Sequence, residues 1–196
     1  MHAQLDSLRG RGVGMLETPG ELLAGRPACN AGILVVEDDP GDALLVREAL
    51  EGLGVARHLV HVFTDGDEAL DFARGAGKSV DTQRVQLILL DLNLAGNGRH
   101  GLEILQALKT DAELLTIPVV VLSSSRHPAD IAGSYALHAN AYVVKPVDLD
   151  GWSATIASVH GMFLRYAELA PDAETFHQAD HPVLGAHAAH AQPRGA

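Results

Sequence analysis

Short apolar runs recur along the middle of this chain, and each stops abruptly at polar residues: Ile33–Val36, His58–Phe63, Leu87–Leu90, Val119–Leu122 and Tyr142–Val144. A segment with helical spacing separates each run from the next. Runs so short and so rich in β-branched residues and leucine read as strands buried on both faces. Strands alternating with helices leave one economical architecture, a parallel sheet covered on both faces and joined by right-handed crossovers. The expected fold is therefore α/β, a doubly wound five-stranded parallel sheet of order 2-1-3-4-5.

The helical segments carry their own start and stop signals. Asp39 is placed to cap the first helix, with Pro40 at its first position and Gly54 just past its end. Further helices are predicted over Asp65–Arg74, Leu102–Lys109, Pro128–His138 and about Asp148–Ala167. In the last of these, Trp152, Ile156, Val159 and Phe163 fall on one helical stripe. Residues 1–30, with five glycines and two prolines, read as a flexible N-terminal tail. Residues 31–167 form the expected domain, and the Ala/His/Pro-rich residues 168–196 read as a flexible C-terminal tail.

Charge and composition exclude several roles. Lys and Arg total 14 against 25 Asp and Glu, a net charge of −11 over 196 residues. Such a balance repels phosphate backbones, so no nucleic-acid partner is expected. No apolar run approaches the ~20 residues that span a bilayer, and the N-terminus lacks the apolar stretch of a secretory signal. No membrane association and a cytoplasmic location are expected. The single cysteine, Cys29, excludes an internal disulfide and a cysteine-based zinc site. His177, His181, His187 and His190 have mixed spacings that fit no metal site.

In a sheet of this order the functional groups gather at the carboxyl ends of the strands. Glu37 and Asp38 follow ILVV, Asp91 follows LILL, Ser123 follows VVVL, and Lys145 follows YVV. Crowded carboxylates repel one another unless a cation sits among them. Mg²⁺ suits such a site, taking one or two carboxylates, waters and a phosphate oxygen. A carboxylate is also a nucleophile toward phosphoryl groups, and a lysine and a hydroxyl can meet the charge on the transferred group. Singly, each residue has an ordinary reading. Glu37 and Asp38 could be first-turn acids favoured by a helix dipole, Asp91 a turn residue, and Ser123-Ser124-Ser125 a simple cap. Their coincidence on separate strand ends carries the functional reading.

Together, ILVVEDD, LILLDLN, IPVVVLSSS and AYVVKPVDL resemble the receiver domain of two-component response regulators over roughly residues 31–165. The resemblance implies a CheY-like (βα)5 domain. It implies that Asp91 is the phospho-acceptor, and that Mg²⁺ is held by Asp38 directly, Glu37 through water, Asp91, and the Asn93 backbone carbonyl. Ser123 and Tyr142 match the switch hydroxyl and aromatic, Lys145 the phosphate-binding lysine, and Lys145–Pro146 a cis peptide. Catalysis is then confined to the domain's own phosphorylation and dephosphorylation. Ala95 stands where the family usually has proline, and Gly101 lies ten residues beyond Asp91, making the loop Ala95–His100 two residues longer than usual.

EDDPGDALLVREAL, DLNL, the stretch SYALHANAYVVKPVDL and an apolar extension of the last helix are similar to small single-domain regulators paired with bacterial phytochromes. The implied partner is a sensor histidine kinase of bacteriophytochrome type. A relay intermediate would instead pass its phosphate to a histidine phosphotransfer protein, and a phosphorylation-independent binding module would not need the complete pocket seen here. About 29 residues follow the last helix, too few for a DNA-binding output domain, so the expected output is another protein. Gly96–Gly98 lacks the context of a dinucleotide-binding motif. Asn93 stands where a haloacid-dehalogenase-like phosphatase needs its second aspartate. A homodimer is expected on Ile131, Tyr135, Tyr142, Val144, Phe163 and Tyr166, an aromatic and aliphatic surface of the fourth helix, fifth strand and fifth helix.

Overall fold

The computed structural model describes residues 32–75, 84–94 and 100–167. The two tails, Cys29, loop residues Ala95–Arg99 and the four histidines from His177 to His190 lie outside the described residues. Strands β1 (Gly32–Val36), β2 (Val60–Phe63), β3 (Val85–Leu90), β4 (Val119–Ser123) and β5 (Ala141–Val144) pair in parallel in the order β2-β1-β3-β4-β5, as expected. Helices α1 (Pro40–Gly52), α2 (Gly66–Gly75), α3 (Gly101–Thr110), α4 (Pro128–Ala136) and α5 (Leu149–His160) connect and cover them.

The two-residue period of a strand divides β1 between two cores. Leu34 and Val36 join Ile88, Leu90, Ile104 and Leu105 on one side. Ile33 and Val35 join Leu50, Leu87, Trp152 and Ile156 on the other. Because both faces are covered, β1 and β4 are buried throughout, which is why they read as unbroken apolar runs rather than alternating ones. No described helix is long and apolar enough to cross a membrane.

Local chemistry sets the helix ends. Asp39 caps α1, its Oδ1 accepting the Asp42 N–H at 2.9 Å, with Pro40 at the first position. Gly54 follows with φ +85°, a left-handed conformation that glycine adopts without Cβ strain. α3 is capped by His100, whose Nδ1 accepts from Leu102 N–H, while Glu103 bonds back to the His100 N–H at 2.9 Å. α4 is capped by His127, Nδ1 accepting from Ala129 N–H at 3.2 Å.

The last helix departs from expectation. Its α-helical part ends at His160, and Gly161–Tyr166 forms a π-helix. Trp152, Ile156 and Val159 are buried as the stripe predicts, but Phe163 is only half-buried and the next buried apolar residue is Leu164, five positions after Val159. A π turn bonds residue i to i+5, so it rotates everything beyond it. Phe163, expected on the dimer surface, is half-buried and packs against the core beneath α1 and α5. Tyr166 stays half exposed.

Candidate functional site

Backbone pairing alone brings the strand ends together. Glu37 N–H donates to Phe63 O at 2.9 Å, Asp91 N–H to Val36 O at 2.9 Å, and Lys145 N–H to Ser123 O at 2.9 Å. The side chains then meet around the Lys145 ammonium. Nζ lies 2.7 Å from Glu37 Oε2, 2.8 Å from Asp91 Oδ2 and 2.9 Å from Asp42 Oδ2. Glu37 and Asp91 are only 2% and 5% exposed. Carboxylates this far from water require a partner, and the shared ammonium supplies it.

One cation among so many acids does not balance the charge. Burial, the largest effect, pushes the Glu37 carboxyl up to about 7; the nearby Asp91 charge pushes the same way, while Lys145 pulls it down. For Lys145 burial acts to lower the pKa, but hydrogen bonds to Asp91, Glu37 and Asp42 outweigh it and hold the ammonium above its ordinary value. Glu37, Asp38 and Asp91 each present an oxygen, and these lie within 4.8 Å of one another. An all-oxygen, anion-rich donor set of this size fits a hard divalent cation.

Further polar residues close the pocket. Asn93 N–H donates to Asp91 Oδ1 at 3.1 Å, and its side-chain amide donates to the hydroxyls of Ser123 and Ser124, each at 3.3 Å. Ser123 is fully buried. Tyr142 Oη donates to Ser125 O at 2.9 Å. The Tyr142 N–H faces the open side of β5, where it donates to Tyr135 Oη at 3.3 Å. Ile131 and Val144 are half-buried beside them, and Tyr135 is half exposed.

The expected residues Glu37, Asp38, Asp91, Asn93, Ser123 and Lys145 thus share one crevice. Asp42 was not foreseen there. It is a first-turn acid of α1, a position explained equally well by the helix dipole, so only its contact with Lys145 reveals the second role. The cis Lys145–Pro146 peptide is not observed; no described peptide bond is cis. The trans isomer is intrinsically favoured by about 0.5–1 kcal/mol before proline, and Lys145 reaches all three carboxylates without the cis form.

Comparison with known proteins agrees with this geometry. Residues 33–157 match the response regulator receiver domain. Response regulator Rcp1 of Synechocystis sp. is 35% identical over 137 residues, covering 70% of this chain and 91% of that protein. Among solved structures, the phosphorylated cyanobacterial phytochrome response regulator RcpA superposes with a TM-score of 0.64 at 38% identity, covering 72% of this chain and 99% of that one. The bacteriophytochrome response regulator RtBRR gives 0.54 at 35% identity, covering 84% and 99%. With the strand order, the acidic crevice and its lysine already in place, the match over most of the described residues leads to one conclusion: the chain belongs to the response regulator receiver domain family.

Proposed function

We propose that this chain is a single-domain response regulator that accepts a phosphoryl group on Asp91 from a sensor histidine kinase and signals by protein–protein contact. The observation that carries this reading is the Asp91 carboxylate, buried at the end of β3 and 2.8 Å from the Lys145 ammonium, beside Glu37 and Asp38. In the transfer, an Asp91 oxygen bonds to phosphorus as the phosphorus–nitrogen bond of a phosphohistidine breaks, and the imidazole keeps the electron pair. Lys145 leaves Asp91 to meet the negative phosphoryl oxygens, and the Ser123 hydroxyl turns to donate to one of them. Tyr142 then follows Ser123 inward.

Asp38, Asp91, the Asn93 carbonyl and, through water, Glu37 would hold Mg²⁺, which supplies further charge neutralisation at the phosphoryl group. The Mn²⁺-bound form of the similar Rcp1 supports a divalent cation as the ligand. Similarity to RcpA and RtBRR supports a kinase of the phytochrome kind, and a cytoplasmic location belongs to the same reading. Residues 31–167 would act as the unit, with a homodimer surface on Ile131, Tyr135, Tyr142, Val144 and Tyr166, Phe163 being turned toward the core.

Phosphate labelling tests the reading. Wild type should take up acid-stable, hydroxylamine-labile label from acetyl phosphate or a phytochrome kinase, and lose it with chelator. Asp91→Asn should take up none, because an amide cannot form an acyl phosphate. Full labelling of that variant would remove Asp91 as the acceptor.

A further inference from the structure

The three N–H groups of the Lys145 ammonium face three carboxylates, and the three are not alike. Glu37 Oε2 and Asp91 Oδ2, at 2.7 and 2.8 Å, belong to side chains that are almost fully buried. Asp42 Oδ2, at 2.9 Å, belongs to a side chain 30% exposed. Glu37 and Asp91 also belong, with Asp38, to the set of oxygens within 4.8 Å of one another that fits a divalent cation, and Asp42 is outside that set. Asp42 is therefore bonded to the ammonium without being one of the candidate cation ligands. Its own backbone fixes its place, its N–H donating to Asp39 Oδ1 at 2.9 Å in the first turn of α1. Because Asp39 already caps the helix, the Asp42 carboxylate is available to the lysine.

We infer that Asp42 is a positioning residue that keeps the Lys145 ammonium in the pocket when a divalent cation engages Glu37 and Asp91. The inference deepens the proposed phosphorylation of Asp91 and rests on its cation site. A cation drawing on Glu37 and Asp91 competes with the ammonium for their lone pairs and repels its charge, so both bonds weaken. Of the three partners, only Asp42 then stands outside the cation's set. Without it, a lysine on a flexible four-carbon stem is drawn back to water. Held by Asp42, the ammonium stays beside Asp91, where the phosphoryl group arrives, and needs no ordering at the moment of transfer. A helix dipole alone accounts for an acid in the first turn, but not for its oxygen lying 2.9 Å from an ammonium that follows β5.

The test follows the ammonium itself. Lys145 is one of three lysines in the chain, so side-chain ¹⁵N labelling of lysine in the full chain gives a simple spectrum. A fully bonded ammonium exchanges its protons slowly with water and gives a sharp signal; a released one does not. Lys109, held by Leu115 O, Ile117 O and Asn140 Oδ1, is the internal reference for an intact fold. In wild type the Lys145 signal should persist without metal and with saturating Mg²⁺, whose binding is followed at the Asp91 amide. In Asp42→Ala it should persist without metal, where Glu37 and Asp91 still hold it, and disappear with Mg²⁺. Persistence in the variant with Mg²⁺ would overturn the inference. So would loss in wild type with Mg²⁺, or loss in the variant without metal, since the bond would then be merely structural. No response of the Asp91 amide to Mg²⁺ in wild type would overturn it together with the cation site. Labelling by acetyl phosphate gives a second readout, whose sign discriminates. If Asp42 were only a negative charge near the pocket, its removal would ease the approach of an anionic donor and lower the apparent KM. Positioning of the lysine predicts a rise of about tenfold. The rate at saturating donor should change less, because bound phosphoryl oxygens recapture the ammonium. An unchanged or lowered KM would overturn the inference. Wild type that takes up no label would instead refute the phosphorylation reading, and the lysine signal alone would then decide the role of Asp42.

Discussion

Replacing Gly101 by alanine measures how closely α3 is pressed against the acceptor strand. A Cβ at Gly101 would sit 2.4 Å from both Asp91 O and Leu92 Cα. Carbon contacts are favourable at about 3.5–4.0 Å, so the two backbones must part by roughly 1 Å. Neither neighbour is a side chain that can rotate away. The Gly101 N–H to Leu92 O bond, already 3.2 Å long, would be lost in the process. Overpacking costs about 1–3 kcal/mol and the bond about 1 kcal/mol, together about 2–4 kcal/mol. At roughly 4 °C per kcal/mol for a domain of this size, the melting temperature should fall by about 8–16 °C. A shift of this size at Asp91 should also slow labelling by acetyl phosphate, by up to about a hundredfold. Gly133→Ala is the matched control, since its Cβ would meet Leu102 Cδ1 at an ordinary 3.6 Å. That substitution, inside α4, should stabilise by about 0.5–1 kcal/mol. Thermal melts followed by circular dichroism, with labelling rates on the same samples, decide the matter. If Gly101→Ala melts and labels like wild type, the close approach imposes no constraint and the reasoning fails.

Glu37 gives a pH signature. Its carboxyl, raised by burial from 4.5 to about 7, binds its proton more tightly folded than unfolded. The stability it contributes is complete below pH 4.5 and lost as pH rises through about 7. Glu37→Gln should flatten that decline in chelator, read as urea midpoints at pH 5 and 8; parallel declines would contradict it. Lys145→Met leaves Glu37, Asp42 and Asp91 facing one another without a cation, and should cost about 3–5 kcal/mol at pH 8. Part of that loss should return at pH 5 or with added Mg²⁺; a loss independent of both would show that charge is not its cause. Lys109→Met removes the donor to Leu115 O, Ile117 O and Asn140 Oδ1, at 3.2, 2.7 and 3.1 Å, and should cost about 1–3 kcal/mol in a thermal melt. An unchanged melt would mean that water replaces the ammonium without loss.

The strand order and the acidic crevice were legible because their signals are local and repeated. An apolar run closed by a polar residue marks a strand end, and the topology then carries Glu37, Asp91, Ser123 and Lys145 to one place without knowledge of any contact. Asp39 was legible as a cap for the same reason. Asp42 was hidden because one residue satisfies two demands, a helix dipole and a buried ammonium, and the first already accounts for it. The π turn was hidden because Trp152, Ile156, Val159 and Phe163 keep α-helical spacing through the point where the backbone changes register. Ser125 looks like one serine in a run of three, and its bonds to Tyr142 and Asp130 are delivered only by the tertiary fold.

The bond from the Tyr142 N–H to Tyr135 Oη bears on how copies of this chain can join. β5 ends the sheet, and the outer side of an end strand is a row of backbone donors and acceptors that another strand can copy. Tyr135 closes that row at the middle of β5 with a hydroxyl from the chain's own α4. A neighbouring molecule cannot extend the sheet there unless it first lifts Tyr135 away and supplies a donor and acceptor pattern of its own. Any copy meeting this face would have to make its contacts through side chains and not by extending the sheet, so edge-to-edge growth into longer assemblies is discouraged there.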